Sequence, residues 1–150
     1  MQVFGILWNP FNLERSQQIF LTYGKKHAKL WTQQHPEGSG KQTIWQPHAL
    51  SFGRFDVQNV HSAAFLPKSN SIALGLARGE ILVLENGHAV RSLVAHKAGP
   101  QIIADDGSIT YGGVRGMVLH RGNTLLVTAG AIVRQPSPAL PTLSAMCDEV

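Results

Sequence analysis

The sequence predicts an all-β chain built from short antiparallel strands in repeated four-stranded units. Three observations predict it. Ile19 to Thr32 reads as two apolar runs, Ile19-Phe20-Leu21-Thr22 and His27-Ala28-Lys29-Leu30-Trp31-Thr32, separated by Gly24-Lys25-Lys26. This is a hairpin pattern, with a glycine where a turn needs a residue tolerant of positive φ. The hairpin recurs: a shift of 53 positions places Ile19 on Ile72, Leu21 on Leu74, Leu30 on Val83 and Trp31 on Leu84. A second equal shift places Ile72 on Leu125, Leu74 on Val127 and Ala77 on Gly130. Three copies in one register, without a gap, argue for a repeat architecture. In the second copy, four strand-like runs fit into about 35 residues. A four-stranded meander, repeated, is what a propeller blade looks like in sequence.

The elements follow in order. Val3 to Trp8 is a short apolar run closed by Asn9-Pro10, which predicts a buried strand leaving into a loop. Phe11 to Gln18 is a polar connection before the Ile19–Thr32 hairpin, and Gln33 to Gln42 is a Gly/Pro/Ser-rich surface loop. A fourth, outer strand is expected near Ala49–Phe52. In the second copy the strands are Val60 to Leu66, Ser71 to Leu76, Glu80 to Glu85 and His88 to Val94, with turns at Pro67-Lys68-Ser69-Asn70, Ala77-Arg78-Gly79 and Asn86-Gly87. Asn86-Gly87 is a strong two-residue hairpin signal. Ala95 to Gly107 is a loop. Val114 to Leu119 and Thr124 to Thr128 match the first two strands of a third copy, and Ala129-Gly130-Ala131 begins its turn. From Ile132 the pattern stops, and prolines between Pro136 and Pro141 exclude a central strand. Residues 133–150 are expected to be a Pro-rich disordered tail.

The 150 residues bound one domain, or a piece of a larger one. Hydrophobic residues make up 43% of the chain, enough for a core, while charged residues make up 15%, below the roughly 25% usual for soluble domains. A formal charge of +4 favours an acidic partner without identifying one, and no nucleic acid is expected. The single cysteine, Cys147, allows no disulfide within the chain and fits a reducing compartment. The N-terminal MQVFGILWNPF lacks a basic lead and a long apolar core, so no signal peptide is expected. No run approaches the ~20 apolar residues of a membrane span. A soluble cytoplasmic protein is the expectation.

Specific stretches carry a family resemblance. Trp8-Asn9-Pro10-Phe11, followed by Phe20 to Thr32 (FLTYGKKHAKLWT), resembles a WD-repeat blade of the echinoderm microtubule-associated-protein-like family, in which a cGxkHikfWt strand pair is characteristic. Gly75 to Leu84 (GLARGEILVL) resembles that family's tGdxxGxIyvW, and Ala95-His96 followed by Gly99 resembles its aHxg lead-in to the next blade. The resemblance covers roughly Val3 to Ala131. It implies a WD-repeat β-propeller fragment of about two and a half blades in residues 1–132, the blades near 3–55, 59–95 and 113–131. It also implies tubulin or microtubules as partner and the microtubule cytoskeleton as location. The sequence departs from the pattern in a definite way. Ordinary WD repeats combine an Asp before the third strand with a His, a Ser or Thr and a Trp in a buried hydrogen-bond set. Here Lys25 stands near the Asp position of the first copy. In the second copy Arg78 takes the turn and Leu84 replaces Trp, and Ile132 falls there in the third. Two and a half blades do not close a ring of four to eight. Either the chain is a piece of a longer propeller or copies assemble between chains, the open strand edges offering a route to self-association.

The remaining residues point away from catalysis. Seven histidines (His27, His35, His48, His61, His88, His96 and His120) include no HxH or HxxxH pair, so neither a metal nor any other cofactor is expected. No GxSxG elbow or phosphate-binding GxxxxGK[ST] occurs, and Gly38-Ser39-Gly40-Lys41 has the wrong order for one. Asp105-Asp106-Gly107 reads as a turn. No catalytic residue is assigned, and the chain is not expected to be an enzyme. Four residues are the candidate partner-binding set: Lys25 and Lys26 at the first hairpin tip, Arg78 in the corresponding turn of the second copy, and Trp45, which belongs to no repeat position. The first expectation is therefore a non-catalytic interaction module binding microtubules. The alternatives are a WD-repeat scaffold for another protein complex and an inactive truncated fragment.

Overall fold

A computed structural model describes residues 2–11, 18–34, 43–67, 71–96, 102–103, 109–110, 113–120 and 125–130. Among these the chain is all-β and antiparallel. The first sheet runs β1 (Val3–Trp8), β2 (Ile19–Gly24), β3 (His27–Gln34) and β4 (Ile44–Ala49), paired in chain order. The second runs β5 (Val60–Phe65), β6 (Ser71–Leu76), β7 (Glu80–Glu85) and β8 (His88–Val94), again in chain order. A two-residue ladder joins β9 (Ile102–Ile103) to β10 (Ile109–Thr110), and the third sheet pairs β11 (Val114–His120) with β12 (Leu125–Gly130). The expected tail, 133–150, lies outside the described residues, as do most of the Gln33–Gln42 loop and of the Phe11–Gln18 connection.

The three sheets lie face to face, with β5 beside β1 and β2 on one side and β11 on the other. Leu21, Ala28 and the half-buried Leu7, Tyr23 and Leu30 of the first sheet meet Ala63, Phe65, Ile72, Leu74, Leu82 and Leu84 of the second. On the opposite face of the second sheet, Ala73, Ile81 and Val83 meet Val114, Met117 and Leu126 of the third. Every residue of β6 is buried, because the second sheet is covered on both faces. The first strand of each sheet carries a bulge at the same place, between Val3 and Gly5, Val60 and Ser62, and Val114 and Gly116.

Several expectations need correction. The repeat is not free of gaps. Leu21 faces the second sheet, and the residue of β6 that faces the third sheet is Ala73, not Leu74. Equivalent positions are therefore Leu21, Ala73 and Val127, and likewise Phe20, Ile72 and Leu126. The step is 52 positions and then 54. The turn explains the first step, in which β3 and β7 keep 53 positions while β2 and β6 slip to 52: Lys25-Lys26 closes the first hairpin tightly, whereas Ala77-Arg78-Gly79 is one residue longer. Alternation makes a one-residue slip exchange the two faces of a strand. Apolar spacing did not reveal the slip because β6 is apolar on both faces. The positive φ of the first turn belongs to Lys26 (49°), while Gly24 lies in β2, where a Cβ would meet the carbonyl oxygen of Gln2. The outer strand of the first sheet is Ile44–Ala49, earlier than expected. Ser51 instead bridges to His88 of the second sheet. The first strand, expected to be buried, is half open, with Ile6 and Trp8 exposed. The Ala95–Gly107 loop contains β9, and β12 runs on through Ala129 and Gly130.

Candidate interaction surfaces

The first surface is the edge that carries the β2–β3 and β6–β7 turns. Lys25 and Lys26 are exposed at the tip of the first. Gln58 and Asn59, just ahead of β5, hold both turns. The Lys26 amide donates to Asn59 Oδ1 at 3.2 Å, the Ala77 amide to the Asn59 carbonyl at 3.0 Å, and the Arg78 amide to Gln58 Oε1 at 3.1 Å. Asn59 thus ties Lys25, Lys26 and Arg78 to one edge of two adjacent sheets. Arg78 is committed to an exposed ion pair with Asp56 at 3.2 Å, a contact of little energetic weight in solvent. Sequence reasoning missed Gln58 and Asn59. Their signal is slight, two amides directly before a strand.

Trp45 does not join this edge. It pairs with Gln33, six residues along β3 from His27, which puts it about 20 Å from the turn at ~3.3 Å per residue. It lies on the second surface, the outer face of the first sheet. Its ring sits edge-on to Phe20 at 4.9 Å and to Trp8 at 5.9 Å, and Phe20 stacks on Trp31 at 5.7 Å. Trp45 is thus neither a core residue nor an isolated anchor but one member of a four-ring cluster, and all three tryptophans of the chain share it. Cross-strand register makes the cluster: Trp8 opposes Phe20, and Phe20 opposes Trp31.

Beneath the rings lies a short polar chain. Trp31 Nε1 donates to Thr22 Oγ1 at 3.0 Å, and Thr22 Oγ1 lies 3.0 Å from His27 Nε2. Burial, with Lys29 adding to it, lowers the His27 pKa, so the ring is neutral and can accept the Thr22 hydroxyl proton while that oxygen accepts from Trp31. The third sheet repeats the theme at its equivalent threonine: Thr128 Oγ1 lies 3.1 Å from His96 Nε2. In the second sheet the equivalent position is Leu74, and no such link forms there.

The bulged residues of the three first strands make a ladder. Phe4 stacks on His61 with centroids 5.6 Å apart, and Arg115 Nη1 reaches His61 Nδ1 at 3.3 Å. Burial, then the Arg115 charge, lowers the His61 pKa and keeps Nδ1 free to accept. Finally, a cleft of about 420 Å³ opens between the first two sheets, with Thr32, His48, Asn86 and His88 on its polar wall and Leu30 and Ile72 on its apolar one. No helix among the described residues is long and apolar enough to cross a membrane.

No protein-family model matches this chain, and no curated protein matches it.

Proposed function

We propose that the three sheets are successive blades of a WD-repeat β-propeller and that the chain is a non-catalytic interaction module whose basic turn edge docks on an acidic protein surface. The observation that carries this reading is the shared edge. Two turns bearing Lys25, Lys26 and Arg78 are clamped by Gln58 and Asn59, so the cations are presented by a rigid scaffold. Face-to-face sheets with one repeated bulge support the propeller. The Thr–His links of the first and third sheets stand in for the Asp-containing set of ordinary WD repeats. The partner follows from the sequence resemblance: the microtubule lattice, in the cytoplasm.

Co-sedimentation with polymerised tubulin tests it. The wild-type chain should pellet with microtubules and do so less as salt rises, because exposed charges are screened. Lys25→Glu with Lys26→Glu should weaken pelleting at least several-fold at low salt. Equal pelleting by the double variant removes this edge from the interface. A wild-type chain that never pellets removes microtubules as the partner.

A further inference from the structure

The outer face of the first sheet has counterparts in the other two, and both are covered. Ile6, Trp8, Phe20 and Trp31 correspond through strand register and bulge to Ala63, Phe65, Ile72 and Leu84 of the second sheet. Those four are buried under the first sheet. The matching residues of the third sheet, Met117 and Leu126, pack on the second. Only in the first sheet does this face stay open among the described residues, with Ile6 64% and Trp8 54% exposed.

The other half of the same contact is also open among the described residues. Leu7 and Leu21 of the first sheet cover the second, and Ala64 and Ala73 stand at the same positions of the second sheet. Their equivalents in the third sheet are Val118 and Val127. These two pair with one another across β11 and β12, and Val118 is 59% exposed. Their neighbours on that face, Gly116 and Ala129, are small. Size follows the pattern of the second contact, where small Ala73 receives the larger Met117 and Leu126. The Gly116, Val118, Val127 and Ala129 stretch of that face, which continues to the His120–Leu125 pair, is small enough to receive large rings.

We propose that a second copy of this chain seats the Val118/Val127 face of its third sheet on the Ile6/Trp8/Phe20/Trp31 face of the first, continuing the sheet-on-sheet contact already made twice within the chain. The contact is head-to-tail, because two different faces meet. Two copies present both contacts at once and close a ring of six sheets, within the four to eight blades of propellers. The proposal rests on the repeated packing of the sheets and on the propeller reading of it, not on microtubule binding.

Light scattering after size exclusion should give twice the 16.3 kDa chain mass. Trp8→Lys and Val118→Lys change exposed residues on opposite faces, and each alone should give the single-chain mass with an unchanged far-ultraviolet circular dichroism spectrum. Mixing the two variants should restore the dimer in part, because a mixed pair keeps one unaltered contact. The three tryptophans report the same event: wild-type emission should shift to the red on dilution. A wild-type chain of 16.3 kDa at its highest soluble concentration overturns the proposal. So does a dimer that Val118→Lys leaves intact, since two first sheets would then be meeting each other. A wild-type chain without a β-type spectrum would refute the fold reading itself, and dimerisation with no microtubule pelleting would refute only the partner.

Discussion

Thr22 carries two hydrogen bonds with one oxygen, accepting from Trp31 Nε1 and facing His27 Nε2, and it is buried while doing so. Removing the hydroxyl without changing the shape leaves an indole N–H and an imidazole nitrogen unsatisfied. Leaving buried polar groups unpaired costs about 1–3 kcal/mol. Thr22→Val should therefore lower stability by about 2 kcal/mol in urea unfolding, and a change below ~0.5 kcal/mol would mean the polar chain has no structural weight. The sequence showed His27 at a strand start, and it opens β3, but Trp31 lies in the middle of that strand among the rings of the outer face and not in the core. The sequence did not show that His27 and Thr22 meet, because the contact needs the tight Lys25-Lys26 turn to bring β3 back at one register and no other. Lys25 and Lys26 were legible as a hairpin tip because turns declare themselves locally. Trp45 was harder, since its neighbours Trp8 and Phe20 are brought to it only by strand pairing.

At the scale of elements, the strands of the second sheet were legible almost to the residue. Asn86-Gly87 took the positive φ values its sequence requires, 50° and 80°. Strand β4 was misplaced because Ala49–Phe52 is as apolar as Ile44–Ala49, and Leu50 and Phe52 are in fact buried between the sheets rather than paired in an outer strand. The face assignment of β6 failed for a related reason: a strand covered on both sides carries no alternation to read. What the buried faces demand instead is space. A Cβ on Gly75 would meet Ser62 Oγ and sit 2.8 Å from Val114 Cβ, inside the contact of the second and third sheets. A Cβ on Gly116 would find its nearest neighbour, Ala129 Cβ, at 3.8 Å. In the Trp8→Lys chain, where no second copy covers the third sheet, Gly75→Ala should destabilise by about 1–3 kcal/mol through overpacking, and Gly116→Ala should be close to neutral. Thermal unfolding of the two variants side by side checks the difference. Equal behaviour would mean that the second and third sheets are not in close contact.

At the scale of the molecule, the repeat was visible because each unit carries the same hairpin, while the stacking order was not, because it depends on which face of each strand is covered. The central claim is that the second sheet is sandwiched and the first is covered on one face alone. Amide hydrogen exchange on the Trp8→Lys chain, whose first sheet no second copy covers, tests this directly. Strands β2 and β6 are each paired on both sides, so hydrogen bonding alone would protect them alike. Sandwiching predicts that the β6 and β7 amides exchange at least about tenfold more slowly than those of β2 and β3, the slowest exchange marking the most completely covered element. Equal protection of the two sheets, or slower exchange in β2 and β3, would contradict the stacked arrangement and the interaction edge built on it.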